Sequence, residues 1–332
     1  MRIKFCWLLA SLFFLPYESI SQCCGGGGGN PFAGDVAHGV LGQNQFEINS
    51  SFQFVRTNKF LSGNKPADNF SDNFNSKYLY NKIGYGLSER LTLSVEFSYW
   101  LNKTQVNLNN SQTISSSGLG DIIIMPRYKV YSNSELPLFT EITVGMGVKL
   151  PLGKHNDSLA YLEPFSGTYY YLQKPLSVQQ SSGSQDFLVS FSATRKYHRK
   201  NLSLVFNGLY IKRGWNSMGE KMGNFAAISF ILGKSFAPSW SVAMKLRGEL
   251  LNTMKLNEDI RTYSFPNYDP EATGFKKVFL SPIISFNLAE RFRFFTIVDL
   301  PVFQYMNKTQ ISSQHQLTFG LSYGFSLNEN TK

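Results

Sequence analysis

Between Gly118 and Pro151 the hydrophobic positions recur at every second residue. In the first half Ile122, Ile124, Pro126, Tyr128 and Val130 share one face, against Asp121, Ile123, Met125, Arg127 and Lys129. In the second half Ile142, Val144, Met146, Val148 and Leu150 oppose Glu141, Thr143, Gly145, Gly147 and Lys149. A period of two over this length marks strands with unlike environments on their two sides. One side is continuously apolar, and the other mixes charge, glycine and hydroxyl. About ten tilted residues of such a strand cross a bilayer, with lipid on the apolar side and a lumen on the other.

The same alternation starts at Gln45 and runs almost to the C-terminus. It appears at 46–54, 78–101, 187–210, 226–250, 278–300 and 317–325. The count is about twelve strands, the even number that an antiparallel barrel with both ends on one side requires. Short turns are expected at 88–90, 132–137, 198–201, 237–239 and 289–291. They alternate with long loops at 57–74, 103–117, 152–184, 212–222, 252–275 and 307–313. The predicted fold is therefore an all-β transmembrane antiparallel β-barrel with short periplasmic turns and long extracellular loops. Pro126, Pro282 and Pro301 fall inside strand patterns, so they are expected at strand ends, bulges or irregular pairings.

Composition agrees. Of 332 residues, 16% are charged, below the usual figure of about 25%, while 15% are aromatic. The mean hydropathy is -0.17. After the N-terminus no stretch of about twenty residues is apolar throughout, which excludes helical spans. The formal charge is +10, but Lys and Arg are spread singly, so no nucleic-acid partner is expected. The expected surroundings are outer-membrane lipids, and the expected location is the bacterial outer membrane.

The ends carry their own signals. Residues 1–21 read as a signal peptide: Arg2 and Lys4 precede an apolar run from Phe5 to Leu15, with Ser19 and Ser21 before Gln22. Residues 22–44 form a flexible Cys/Gly-rich N-terminal arm, 45–327 the barrel and 328–332 a tail. Cys23 and Cys24, with His38 further on, are candidate ligands for a soft metal, and Cys23 is a candidate for acylation. The plainer reading of the arm is a periplasmic tail, a lumen plug or a contact for a periplasmic partner.

Four segments carry a resemblance to a known family. SGLGDIIIMPRYKVY, GVKLPLGKH, SSGSQDFLVSFSATRKY and DLPVFQYMN, in that order, resemble motifs of the outer-membrane barrels associated with the MetA pathway of phenol degradation. The likeness runs over roughly 78–325, and the Cys-Cys-Gly arm lies outside it. It implies an outer-membrane channel or transporter without fixing the solute.

No enzyme is expected, and no cofactor. The histidines at 38, 155, 198 and 315 have no Ser or Asp at triad spacing, apart from a weak Ser313–His315 pairing that would suggest a lipid hydrolase. The functional lead is charge that parity turns inward. Glu47, Lys82 and Glu96 belong to this set, with the lumen-lining candidates Asp121, Arg127, Lys129, Glu141, Lys149, Asp186, Lys245, Arg247, Glu249, Arg293 and Asp299. Two readings remain: the charges brace a narrow lumen, or they line a polar path. In the second, Arg127, Lys149, Lys245 and Arg247 set selectivity toward small anionic or polar-aromatic solutes. A non-transport barrel that binds a partner is the alternative.

Overall fold

The computed structural model describes residues 39–68, 71–107, 113–163, 165–258, 269–289 and 291–327. The signal-peptide expectation, Cys23, Cys24, His38 and the C-terminal tail lie outside them. Twelve long strands follow one another in order: β1 (Gln45–Thr57), β2 (Ser71–Ser88), β3 (Leu91–Asn107), β4 (Thr113–Asn133), β5 (Leu138–Leu150) and β6 (Asp186–Tyr197), then β7 (Leu202–Lys212), β8 (Phe225–Ser235), β9 (Trp240–Leu251), β10 (Phe275–Leu288), β11 (Phe292–Ile311) and β12 (Gln316–Ser326). Each pairs antiparallel with its neighbours in sequence. The last strand pairs with the first, from Gln45↔Ser326 to Val55↔Gln316, so the sheet closes and no edge is left in the ring. Closure satisfies the backbone groups internally, as a lipid-spanning sheet must.

Alternation decides what each side meets. On β3, Thr92, Ser94, Glu96 and Ser98 are buried, while Tyr99 and Leu101 on the other face are exposed. On β5, Glu141, Thr143 and Lys149 are buried, while Val144 and Met146 face out. The outward face is apolar along β6 to β12, including Phe187, Val189, Phe206, Ile228, Leu246, Ile284 and Phe319. Several of its aromatic residues pair at the short-turn end. Trp240 lies 4.8 Å from Phe286, Phe292 lies 4.6 Å from Tyr323, and Phe46 lies 4.5 Å from Tyr85. That is the interfacial girdle of a membrane barrel.

The five short turns fall where expected, but three of the long loops are shorter than the sequence pattern implies. β2 begins at Ser71, inside the predicted 57–74 loop, and the short strands Phe60–Gly63 and Lys65–Ala67 occupy more of it. The predicted 103–117 loop is mostly strand, because β3 runs to Asn107 and β4 starts at Thr113. β11 runs to Ile311, into the predicted 307–313 loop. The reason is physical. β4 has 21 residues and β11 has 20, about twice what a bilayer crossing takes. The surplus stands in water, where neither face needs to be apolar, so the period of two disappears while the pairing continues.

Pro301 lies beside a register shift, while Pro126 and Pro282 each fall at a gap in one ladder whose register is the same on both sides. The β4–β5 register passes from Ile124↔Val148 to Arg127↔Gly145 across Pro126. The β10–β11 register passes from Leu280↔Leu300 to Ile283↔Ile297 across Pro282, and it shifts between Val278 and Phe279, beside Pro301. A missing N–H costs least where no ladder bond is made.

Candidate functional site: the lumen

The inward charges form clusters assembled from neighbouring strands. On β2 to β4, Arg127 Nη2 lies 2.6 Å from Glu96 Oε1. Tyr80 donates to Glu96 Oε2 at 2.5 Å, and Arg127 Nη1 donates to Ser94 at 3.2 Å. At the long-loop end, Lys149 Nζ lies 2.6 Å from Asp121 and 2.9 Å from Asp186. Arg213, in the β7–β8 loop, reaches Asp186 at 2.7 Å. On β9 to β11, Arg247 lies 3.0 Å from Glu249 and 3.5 Å from Asp299, with its guanidinium 4.6 Å from the Phe279 ring centroid. Ser281 donates to Asp299, and Tyr78 donates to Gln53.

The remaining candidates are more dispersed. Lys82 pairs with Glu47 at 3.6 Å. Glu141 accepts from Val40 N at 3.2 Å, and Arg293 donates to Ser285 at 3.3 Å. Lys245 is buried one inward step from Arg247, and Lys129 is half-buried near the turn after β4. Of the four cations assigned to selectivity, Arg127, Lys149 and Arg247 each sit on a carboxylate. The lumen is thus braced by charge pairs within and between neighbouring strands. Leaving one charge buried and unpaired there would cost several kcal/mol.

Two features of the lumen escaped sequence reasoning. The first is an apolar band on the inner wall. Ile123, Met125, Leu188, Leu209, Ile211, Phe225, Ala227, Leu251, Phe275 and Met306 pack into one buried cluster. Parity turns these positions inward, but alternation marks only the apolar face that meets lipid and gives no sign of an apolar patch opposite it. Gly147 shows how tight this wall is: a Cβ there would sit 2.6 Å from Ile124 O and 2.9 Å from Met125 Sδ.

The second feature is a piece of the 152–184 loop that folds into the barrel. Ser177, Val178, Gln179 and Ser184 are buried. The wall holds this segment by its backbone: Trp100 Nε1 donates to Gln180 O at 3.1 Å and Lys103 Nζ to Gln179 O at 2.6 Å. Lys149 donates to Ser182 at 2.6 Å, and Ser177 donates to Gln105 at 2.9 Å. A cavity of about 140 Å³ remains beneath it, bordered by Trp100, Lys103, Asp121, Lys149 and Arg213. The only hint in the sequence was the run of small polar residues SVQQSSGSQD, which fits inside a lumen because little side chain has to be accommodated.

The short-turn end is different. Here the lumen widens into a cavity of about 540 Å³. Arg293, Lys196, Lys234, His198, Val205 and Ile231 are among its lining residues. The chain enters beside it: Leu41 N donates to Thr92 at 2.8 Å, and Asn44 N to Gly86 O at 2.9 Å. The described part of the N-terminal arm therefore lies against the inner wall at this mouth. The Ser313–His315 pairing is not formed. Ser313 is buried and accepts from Lys277 at 2.9 Å, whereas His315 is exposed.

A closed ring of twelve antiparallel strands, apolar outside and polar within, with a girdled short-turn end, defines an outer-membrane-type β-barrel. Among solved structures the chain is similar to the COG4313 outer membrane channel from Pseudomonas putida F1, with TM-score 0.65 and 11% identity, covering 88% of this chain and 100% of that one. It is less similar to a FadL homologue of Pseudomonas aeruginosa (TM-score 0.44, 8% identity, covering 86% and 91%) and to the KdgM porin (TM-score 0.42, 9% identity, covering 84% and 99%). No family model matches the sequence, and no curated protein matches it.

Proposed function

We propose that the protein is an outer-membrane channel for small polar, anionic or aromatic molecules, of the kind associated with the MetA pathway of phenol degradation. The observation that carries this reading is the lumen, a closed barrel with a polar, charge-lined interior and a wide cavity at its short-turn end. The likeness to a solved outer-membrane channel along 88% of the chain supports it, as do the four family-like segments. In this reading the short turns face the periplasm and the long loops face outward. Passage is passive, and the paired cations tune solute preference through the field they leave in the lumen.

Reconstitution tests the proposal. Planar-bilayer recordings should show discrete conductance steps, and liposomes should swell in sugars, amino acids or aromatic acids. Absence of both would end the channel reading. One observation favours a second reading, a barrel that binds a partner without transport. Among the described residues, the apolar band and the infolded segment fill part of the long-loop end, where Val178 and Met254 are buried. Silence in both assays would favour that alternative.

A further inference from the structure

Positive charge is spread unevenly around the short-turn end. In two of the short turns the sequence puts Glu89 next to Arg90 and Glu290 next to Arg291, and the turn after β8 is uncharged. The β6–β7 turn instead completes the run Arg195, Lys196, Tyr197, His198, Arg199 and Lys200, and Lys234 lies alongside near the end of β8. No Asp or Glu occurs from Phe187 to Met218 or from Lys221 to Arg247.

Parity separates these cations. Lys196 belongs to the inward set and lines the cavity. Arg195 shares the outward side of β6 with Val189 and Phe191, and Lys234 shares that of β8 with Phe230 and Leu232. Both cations are exposed. Register fixes their spacing. Arg195 stands opposite Leu204, and Leu204 opposite Leu232; one row nearer the turn, Tyr197 stands opposite Leu202, and Leu202 opposite Lys234. Arg195 and Lys234 are therefore two strands apart, about 10 Å, a gap that two long side chains close. Each lies by an aromatic ring: the Arg195 guanidinium is 5.5 Å from the Tyr197 centroid, and Lys234 Nζ is 5.7 Å from that of Phe236. Among the described residues, no carboxylate pairs with Arg195 or Lys234. Towards the membrane centre, Phe206, Phe230 and Leu232 are 43%, 46% and 44% exposed, so the wall beneath the cations is open apolar surface.

We propose that this patch is a binding site for an anionic glycerophospholipid, with its phosphate between Arg195 and Lys234 and its acyl chains on Phe206, Phe230 and Leu232. The proposal goes beyond the channel reading. It needs the barrel in a membrane and is independent of conduction. Three considerations carry it. A guanidinium fork and an ammonium are the side-chain groups that best hold a phosphate. Long cationic side chains rooted on an apolar wall carry their heads to the interface, where lipid phosphates lie. Each Lys or Arg near an anionic leaflet adds attraction, and a cluster without carboxylates keeps all of it. Arg199 and Lys200, exposed on the turn, add to the field from the water side. A soluble anion would gain the charge alone, whereas a lipid also gains the apolar wall. In the orientation proposed above, the site serves the periplasmic leaflet.

The test is native mass spectrometry of the full chain, released from detergent micelles that hold equal amounts of phosphatidylglycerol and phosphatidylcholine with the same acyl chains. Phosphatidylglycerol should be retained in preference. Arg195→Gln together with Lys234→Gln should cut that preference by about tenfold or more. Lys276→Gln, an exposed cation near the start of β10 at the long-loop end, should leave it unchanged. Strand content by circular dichroism confirms that each variant folds. Glycerol 3-phosphate, the same headgroup chemistry without chains, should not displace the lipid at equal concentration. Equal retention of the two lipids, or a preference unmoved by the double variant, overturns the proposal and leaves the cations to a periplasmic partner. Displacement by glycerol 3-phosphate overturns it in favour of a free-phosphate site. Bilayer recordings on the same sample score the channel reading separately: a silent barrel that still retains phosphatidylglycerol removes the channel and leaves the lipid site standing.

Discussion

Replacing Glu96 with Ala tests whether the lumen is held by paired charges. Glu96 is 1% exposed and Arg127 is 4% exposed, and they meet at 2.6 Å. The carboxylate also accepts Tyr80 at 2.5 Å and Ser94 at 3.0 Å. Removing it leaves the Arg127 guanidinium buried without this partner and takes the acceptor from two hydroxyls. Breaking a buried pair on one side costs about 3–5 kcal/mol. The lost hydroxyl bonds are part of the same local network and are not added separately. The assay is denaturant unfolding of the protein in lipid vesicles, followed by tryptophan fluorescence; Trp100 packs with Tyr80 and reports on this wall. In the double variant Glu96→Ala with Arg127→Met the buried charge is gone, so stability should return to within about 2 kcal/mol of the native chain. A single variant costing less than about 1 kcal/mol would refute the reasoning. So would a double variant no more stable than the single one.

The inner wall supports two more predictions. Lys149→Ala removes the ammonium that bridges Asp121, Asp186 and the infolded Ser182, so the infolded segment loosens and single-channel conductance should rise; unchanged or smaller steps would show that this contact does not hold it. Gly320→Val should destabilise the barrel by about 1–3 kcal/mol, because a Cβ at Gly320 would lie 2.0 Å from the Phe295 ring. Phe295→Leu in the same background should recover part of the loss, as read by the unfolding midpoint.

The ring itself was legible because lipid imposes a strict rule. Hydrocarbon rejects polar side chains, so Leu91, Leu93 and Val95 on β3 had to alternate with Thr92, Ser94 and Glu96, and the tight turns punctuated the pattern. The ends of the long strands were not legible, since Lys103–Asn107 and Thr113–Ser117 stand where water removes the rule. Parity gave the inward direction of every charged candidate but not their grouping. Lys149 meets Asp121 across 28 residues of sequence only because of strand register and the wall's curvature. The infolded segment was hidden for a different reason. Its side chains are small and polar, and it is fixed by two backbone carbonyls and by serine hydroxyls, which leave little mark on residue choice. The short-turn cavity was half visible: Arg293 is among the inward charges, but Lys196 stands beyond the apolar alternation of β6.

Single cysteines placed in turn at positions 142 to 146 of β5, in a chain lacking its native cysteines, give the most direct test of sidedness. Each carries a fluorophore, and the protein is folded into vesicles with a quencher confined to the acyl chains. Quenching should be strong at 142, 144 and 146 and weak at 143 and 145. Uniform quenching along the five positions, or the reverse alternation, would contradict the barrel that every other inference builds on.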